Sequence, residues 1–305
     1  MVEATADKAR EAWLEERDLG VQASEVATIL SLNPWESRLQ LWARRTGKTP
    51  PIEESESMVI GHVIEEAISL LFCRDTDRYI TDPGQYLIQR NDDFPLLGAT
   101  LDRQQIKSGT EMPGTLELKN AGWRVGDHWV NEAGDQVVPD YVDAQVQAQM
   151  YCAKLSWGSV AVLIGGNQFR WADIERKPDA WFDDLKEQVS AFWALVQSDI
   201  PPEASAKDAD VLKHLYPQHE IGKVELLPIE AVEIGADLRR LKAEAKAIKG
   251  AIDGHETMIK GWIMDAERGV APDGSYWDWK TSLRKAFTVE AKSTRTLRMT
   301  GPKEE

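Results

Sequence analysis

The chain has little cysteine: Cys73 and Cys152 are its only two, far apart and in no CxxC pair. That spacing argues against a cysteine-built zinc or iron–sulfur site, and nothing in it argues for a disulfide framework. No apolar run reaches the roughly 18 residues that cross a bilayer. The N-terminus, MVEATADKAREAWLEERD, is charged throughout and lacks the apolar middle of a secretory signal. These absences set the expectation of a soluble, intracellular protein. Histidines His62, His128, His214, His219 and His255 fall in no HxH or HExxH spacing. No P-loop, dinucleotide fingerprint or GxSxG elbow occurs. Acidic residues outnumber basic ones, 51 to 36, for a formal net charge of −15. That argues against indiscriminate coating of nucleic acid while allowing a local basic channel. The visibly basic stretch is C-terminal: Lys280, Arg284, Lys285, Lys292, Arg295 and Arg298.

What is present is core material. A hydrophobic fraction of 42% and twelve tryptophans in 305 residues suit one large domain with an appendage, or two domains. Residues 7–18 carry a charged helical pattern with Ala12, Trp13 and Leu19 as inward candidates. A short helix over 23–32 follows, with Ser24 placed to cap it. Residues 37–46 and 53–74 are helical. In the latter, Val59, Val63, Ile64, Ala67, Ile68, Leu71 and Phe72 form the apolar stripe, Glu65 lies beside it and Glu66 points outward. Strand signals occupy 86–119, a helix covers 139–155, strands 159–166 and 168–175 form a hairpin, and 178–197 is an amphipathic helix. Pro201-Pro202 opens the clearest linker. Beyond it a long helix, about 228–268, has Gly250 and Gly254 as possible breaks. SYWDWKT and KAFTVEA are expected to pair as a terminal hairpin.

The stretch FPLLGATLDRQQIKSGTEMPGTLELKN (94–120) concentrates chemistry. It is expected to form a hairpin whose first arm ends near Asp102, with Ser108-Gly109 and Pro113-Gly114 at the reversal. Its second arm alternates Glu117 and Lys119 on one face with Leu116 and Leu118 on the other. An isolated Glu-x-Lys on a strand is common on exposed sheet faces. With Asp102 on the neighbouring arm, however, two carboxylates can hold a hydrated Mg²⁺ while Lys119 holds or helps deprotonate a water. Gln145, Gln147 and Gln149 cannot all share one helix face, and for any single one a structural amide is the ordinary role.

The order helix-Glu, strand-Asp, strand-Glu-x-Lys, helix-Gln resembles the PD-(D/E)XK nuclease superfamily, and more closely its YqaJ-like viral recombinase (phage lambda-type exonuclease) family. The matching stretches are RDLGVQASEV (17–26), GHVIEEA (61–67), GATLDR (98–103), GTLELKN (114–120) and YVDAQVQAQMY (141–151). Leu101-Asp102-Arg103 departs from the family's Pro-Asp. The resemblance implies an α/β fold, a central mixed sheet flanked by helices, over residues 1–200. Residues 201–305 would add a linker, a helical arm and a short basic hairpin tail. It also implies Glu65, Asp102, Glu117 and the Leu118 carbonyl as metal ligands, Lys119 and Gln145 as catalytic groups, and Arg17 and Ser24 as grips on a 5′-phosphate. The activity implied is Mg²⁺-dependent 5′→3′ digestion of one strand of linear duplex DNA, with Mn²⁺ as a substitute ion. The 3′ overhangs left behind would go to a phage single-strand annealing protein inside a bacterial host. A ring-shaped homo-oligomer, a trimer in the simplest case, is implied too, and would confine the basic surface to its channel. Two other functions fit the same residues: an endonuclease or single-strand nuclease, and a non-catalytic DNA-end-binding or assembly module.

Overall fold

The computed structural model describes residues 2–51, 53 and 55–283. The elements in chain order are α1 (Val2–Asp18), β1 (Val21–Gln22), α2 (Ala23–Ile29), α3 (Arg38–Arg45), α4 (Glu56–Thr76), β2 (Tyr79–Thr81), β3 (Gln89–Arg90), β4 (Leu97–Ala99), β5 (Arg103–Ile106) and β6 (Pro113–Ala121). Next come α5 (Asp140–Cys152), β7 (Trp157–Ile164), β8 (Gln168–Glu175), α6 (Asp179–Gln197) and α7 (Ala209–Leu215). Last are α8 (Glu230–Ile263), β9 (Arg268–Val270) and β10 (Tyr276–Asp278). They divide between two compact units, Met1–Leu215 and Tyr216–Glu305.

The first unit is mixed α/β. Its main sheet has five strands in the order β2-β5-β6-β7-β8, with β6 and β7 parallel and the other neighbours antiparallel. The parallel pair is joined through α5, as a crossover connection requires. One face of β6 turns Leu116 and Leu118 onto Ile68 and Phe72 of α4, with Ala161 of β7 in the same cluster. The opposite face looks toward α5, which belongs to the larger core with α2, α3 and α6. Period-two alternation along β6 thus splits the strand between an apolar layer and a polar one.

The expected hairpin is built differently. Leu97–Ala99 is a fully buried strand of a separate three-stranded sheet, order β1-β4-β3. The strand that pairs with β6 is β5, and Pro113 and Gly114 lie within β6 instead of in a turn. Gly114 answers a packing need: a Cβ there would stand 2.6 Å from the Trp157 ring. The chain therefore passes from one sheet to the other at residues 100–102, and Asp102 sits at the crossing.

Three other expectations shift. In α4 the packing against the sheet begins at Ile64, so Val59 and Val63 are 45% and 75% exposed. Leu19 is exposed rather than inward. The segment after Pro201-Pro202 is tied to the first unit: Asp208 is fully buried, accepts from the Ser37 hydroxyl and from Ser205 N–H at 2.6 Å, and Lys207 reaches the Asn33 carbonyl at 2.9 Å. Composition cannot reveal an anchor 171 residues away. The first unit therefore runs to Leu215, past the expected boundary at residue 200.

In the second unit α8 is one continuous helix through Gly250 and Gly254. The strand in SYWDWKT pairs with upstream Arg268–Val270, and KAFTVEA with the basic residues from Arg284 onward lies outside the described residues.

Candidate active site

Asp102 and Glu117 are brought together by strand register. Arg103 of β5 pairs with Leu116 of β6, so continuing the antiparallel register one step sets Asp102 beside Glu117. The Asp102 carboxylate (Oδ2) accepts the Leu118 N–H at 2.8 Å, which fixes it against β6. Burial first, then the Glu117 charge, raises the Asp102 carboxyl well above the ordinary carboxylate range, against the opposing pull of Lys119 and the Leu118 N–H.

Glu117 is 1% exposed and fully engaged. Its Oε1 lies 2.5 Å from Lys119 Nζ and accepts from Gln145 Nε2 at 2.7 Å. Its Oε2 accepts from Gln149 Nε2 at 2.5 Å. Lys119 Nζ also donates to Gln145 Oε1 at 3.1 Å, closing a three-membered cluster. Burial pushes the Lys119 ammonium down, but Glu117 and Asp102 together outweigh it and hold its pKa above the usual lysine value. The group is therefore a cation at neutral pH.

The α5 glutamines divide by helical phase. Gln145 and Gln149, four apart, both reach Glu117. Gln147 faces away and bonds to Asp143 at 3.1 Å, the Glu175 carbonyl at 2.9 Å and the Lys177 N–H at 2.9 Å. Gln149 is the member that sequence reasoning missed. Its i, i+4 relation to Gln145 was the available signal.

A cavity of about 710 Å³ opens beside Asp102, lined also by Glu65, His62, Arg17, Arg103 and Gln145. Glu65 enters it from α4, and its Oε1 sits 2.9 Å from His62 Nδ1. The neighbouring Glu66 is 70% exposed along its side chain and pairs with Arg103 at 3.1 Å, so the helix phase places Glu65 toward the site and Glu66 away. Arg17 lies over the Trp13 ring at 4.4 Å. A second depression of about 380 Å³ is lined by Ser24, Lys119, Tyr141 and Gln145. Gln145 borders both, whereas Arg17 and Ser24 line different ones. Ser24 is not the cap of α2 either. That position is Gln22, whose N–H is taken by Glu25 at 3.0 Å, leaving Ser24 exposed in the first turn.

Among the described residues, no three His, Cys, Asp or Glu side chains form a ready-made ligand cluster. Asp102 and Glu117 stand side by side, while Glu65 shares the cavity but is turned onto His62. The donor chemistry nevertheless suits a hard divalent cation: adjacent carboxylates, one raised in pKa by burial and by the charge of the other, and a set small enough for an ion that keeps several waters.

Residues 12–156 match the family model of the YqaJ-like viral recombinase domain. Over that stretch, just under half of its length, the chain is similar to this domain. Arg17, Ser24, Glu65, Asp102, Glu117, Lys119, Gln145 and Gln149 all lie within the matched residues. The chain is also similar to the uncharacterized protein YqaJ of Bacillus subtilis, 26% identical over 272 residues, which is 87% of this chain and 81% of that protein. Among solved structures, an alkaline exonuclease from Laribacter hongkongensis is 22% identical, covering 62% of this chain and 94% of its own, with a TM-score of 0.49. A phage-related exonuclease from Haemophilus somnus is 13% identical, covering 59% and 95%, with a TM-score of 0.43. No helix among the described residues is long and apolar enough to cross a membrane.

Proposed function

We propose that this chain is a metal-dependent deoxyribonuclease that digests one strand of linear duplex DNA from the 5′ end, leaving 3′ overhangs for single-strand annealing in phage-type recombination. The observation that carries it is the Lys119–Glu117–Gln145 cluster, one register step from Asp102 and open to a cavity that also receives Glu65 and Arg17. The recombinase domain gives the DNA context.

Asp102 and Glu117, with Glu65 and the Leu118 carbonyl, would hold the ion, for which Mg²⁺ is the proposal and Mn²⁺ a substitute. When bound, such an ion supplies an acidified water and a counter-charge for the scissile phosphate. The rest is work for the chain's own groups. Lys119, kept cationic by Glu117, holds the attacking water or a phosphoryl oxygen through its one remaining proton. Gln145 gives its N–H to Glu117 and its carbonyl to Lys119, so it sets the orientation of both. Arg17, its guanidinium on the cavity wall, receives the terminal 5′-phosphate, with Ser24 contributing from the adjoining depression. The acidic balance of the chain is compatible with DNA if the basic surface is confined to a channel between copies, as in a ring.

The test is incubation of the full chain with 5′-phosphorylated linear, dephosphorylated linear, circular and single-stranded DNA, each with Mg²⁺ or EDTA. Digestion confined to one strand of the linear duplex, slowed without the 5′-phosphate and abolished by EDTA and by Lys119→Ala, is the expected result. Cleavage of the circle would make the chain an endonuclease. End binding without cleavage by the wild type would make it a non-catalytic module.

A further inference from the structure

The 34 residues of α8 carry a seam that no described residue of their own unit covers along most of its length. Ala231, Ile234, Leu238, Leu241, Ala245, Ile248, Ile252, His255, Ile259 and Trp262 follow one another at alternating spacings of three and four, a heptad a/d pattern sustained over more than four heptads. Ile234, Leu241, Ile248, Ile252 and Trp262 on this seam are 67%, 51%, 62%, 52% and 73% exposed. Among the described residues it is the end of the helix that is packed within the unit, where Ile263 is buried against Gly269 of β9. Gly250 and Gly254 fall at outer positions, f and c, where the absence of a side chain costs no seam contact. A helix of this length in water keeps its stability mainly by burying an apolar face.

Charge selects the occupant. The charged g positions are Glu230, Asp237 and Glu244, and the charged e positions are Lys242, Lys249 and Glu256, the last of which would face the uncharged Ala251 in a parallel register. When two identical helices lie parallel and in register, each g side chain meets the e′ side chain five residues further on. That gives Asp237 to Lys242 and Glu244 to Lys249, with no like-charged pair. Antiparallel packing matches g with g′ and e with e′: no g position is basic, so both of those pairs are lost, and Glu256 is the one acidic e residue a lysine could meet. In the single chain Asp237 and Glu244 share Arg240, at 3.3 and 2.8 Å, while Lys242 and Lys249 have no ion pair among the described residues. Exposed pairs of that kind are weak enough to rearrange. Isoleucine at d, as at Ile234 and Ile248, favours more than two strands.

We infer that α8 is a self-association element: copies of this chain join through a parallel, in-register coiled coil along the Ile234–Trp262 seam. The seam lies outside residues 12–156 and does not depend on the nuclease proposal, since a chain that proved monomeric could still cleave DNA. The experiment is sedimentation equilibrium of the full chain, with three variants in parallel. The wild type should sediment as a multiple of 34.3 kDa. Ile248→Asp should bring it to the monomer mass with the far-ultraviolet spectrum of the first unit's elements retained. Lys242→Glu with Lys249→Glu should weaken association at least tenfold, and adding Asp237→Lys with Glu244→Lys should restore it. A monomeric wild type, or an Ile248→Asp protein that stays assembled, would overturn the inference. Failure of the second charge pair to rescue the first would overturn the parallel register.

Discussion

Replacing Gln149 with leucine isolates the contact that holds Glu117. The side chains are close in volume, so the main loss is polar. Gln149 is fully buried, donates to Glu117 Oε2 at 2.5 Å and accepts from the Thr115 hydroxyl at 3.1 Å. A hydrogen bond to a charged group contributes about 1.5–3 kcal/mol, and a buried hydroxyl left without a partner costs about 1–3 kcal/mol. Burying the leucine methyls returns about 1 kcal/mol. The net expectation is a loss of about 3 kcal/mol, or roughly 6–12 °C in Tm for a unit of this size. Urea unfolding followed by tryptophan fluorescence measures it, in EDTA so that no ion intervenes. The same substitution made on Glu117→Gln should cost about 1–2 kcal/mol less, because the charge it served is gone. A loss below about 1 kcal/mol, or full additivity with Glu117→Gln, would show that Gln149 does not hold the carboxylate.

The Asp102→Asn variant, in EDTA, should be at least as stable as the wild type at neutral pH. A carboxyl with a raised folded pKa stabilises fully only below its unfolded value and loses that contribution as pH rises through the folded one. Mg²⁺ should then raise the Tm of the wild type and leave that of Asp102→Asn unchanged, and an equal rise in both would remove Asp102 from the ion's ligands. Asp173 titrates in the opposite sense. Although its partial burial works against the charge, the Arg78, Ser159 and Lys107 hydrogen bonds bring its pKa down to about 2. Its contribution is present above the unfolded value, near 3.8, and disappears as pH falls to about 2. With the carboxylate 38% exposed, Asp173→Asn should cost about 1 kcal/mol at pH 7 after allowance for solvent screening, and only a small fraction of that at pH 2. A difference undiminished at pH 2 would point to packing instead. Glu65→Gln should reduce cleavage at least tenfold while Glu66→Gln, which breaks only the exposed pair with Arg103, stays within twofold. The reverse order would refute the role given to Glu65.

Much of the architecture could be read from local pattern. Helices α3, α5 and α6 and strands β7 and β8 lie within a few residues of the expected bounds, since each has an unbroken period and a clear stop. The two faces of β6 follow from alternation alone. What could not be read depended on distant partners. Pro113-Gly114 looks like a turn until Trp157 is packed against it. The Pro201-Pro202 segment looks like a linker until Asp208 finds Ser37. The first arm of the hairpin looks continuous because Leu97–Ala99 and Asp102 belong to one apolar run, although the chain changes sheets between them.

By itself the sequence determined which residue types could do the chemistry and their order along the chain: a helical glutamate, a strand aspartate, Glu117 and Lys119 on one face, and amides one helical turn apart. Periodicity suffices for that, because it depends only on neighbours in the chain. The tertiary structure alone decided that Asp102, one residue before β5, stands beside Glu117, and that Gln149 joins Gln145 on that carboxylate. Those are contacts between segments many residues apart, set by register and packing, and local sequence does not specify either.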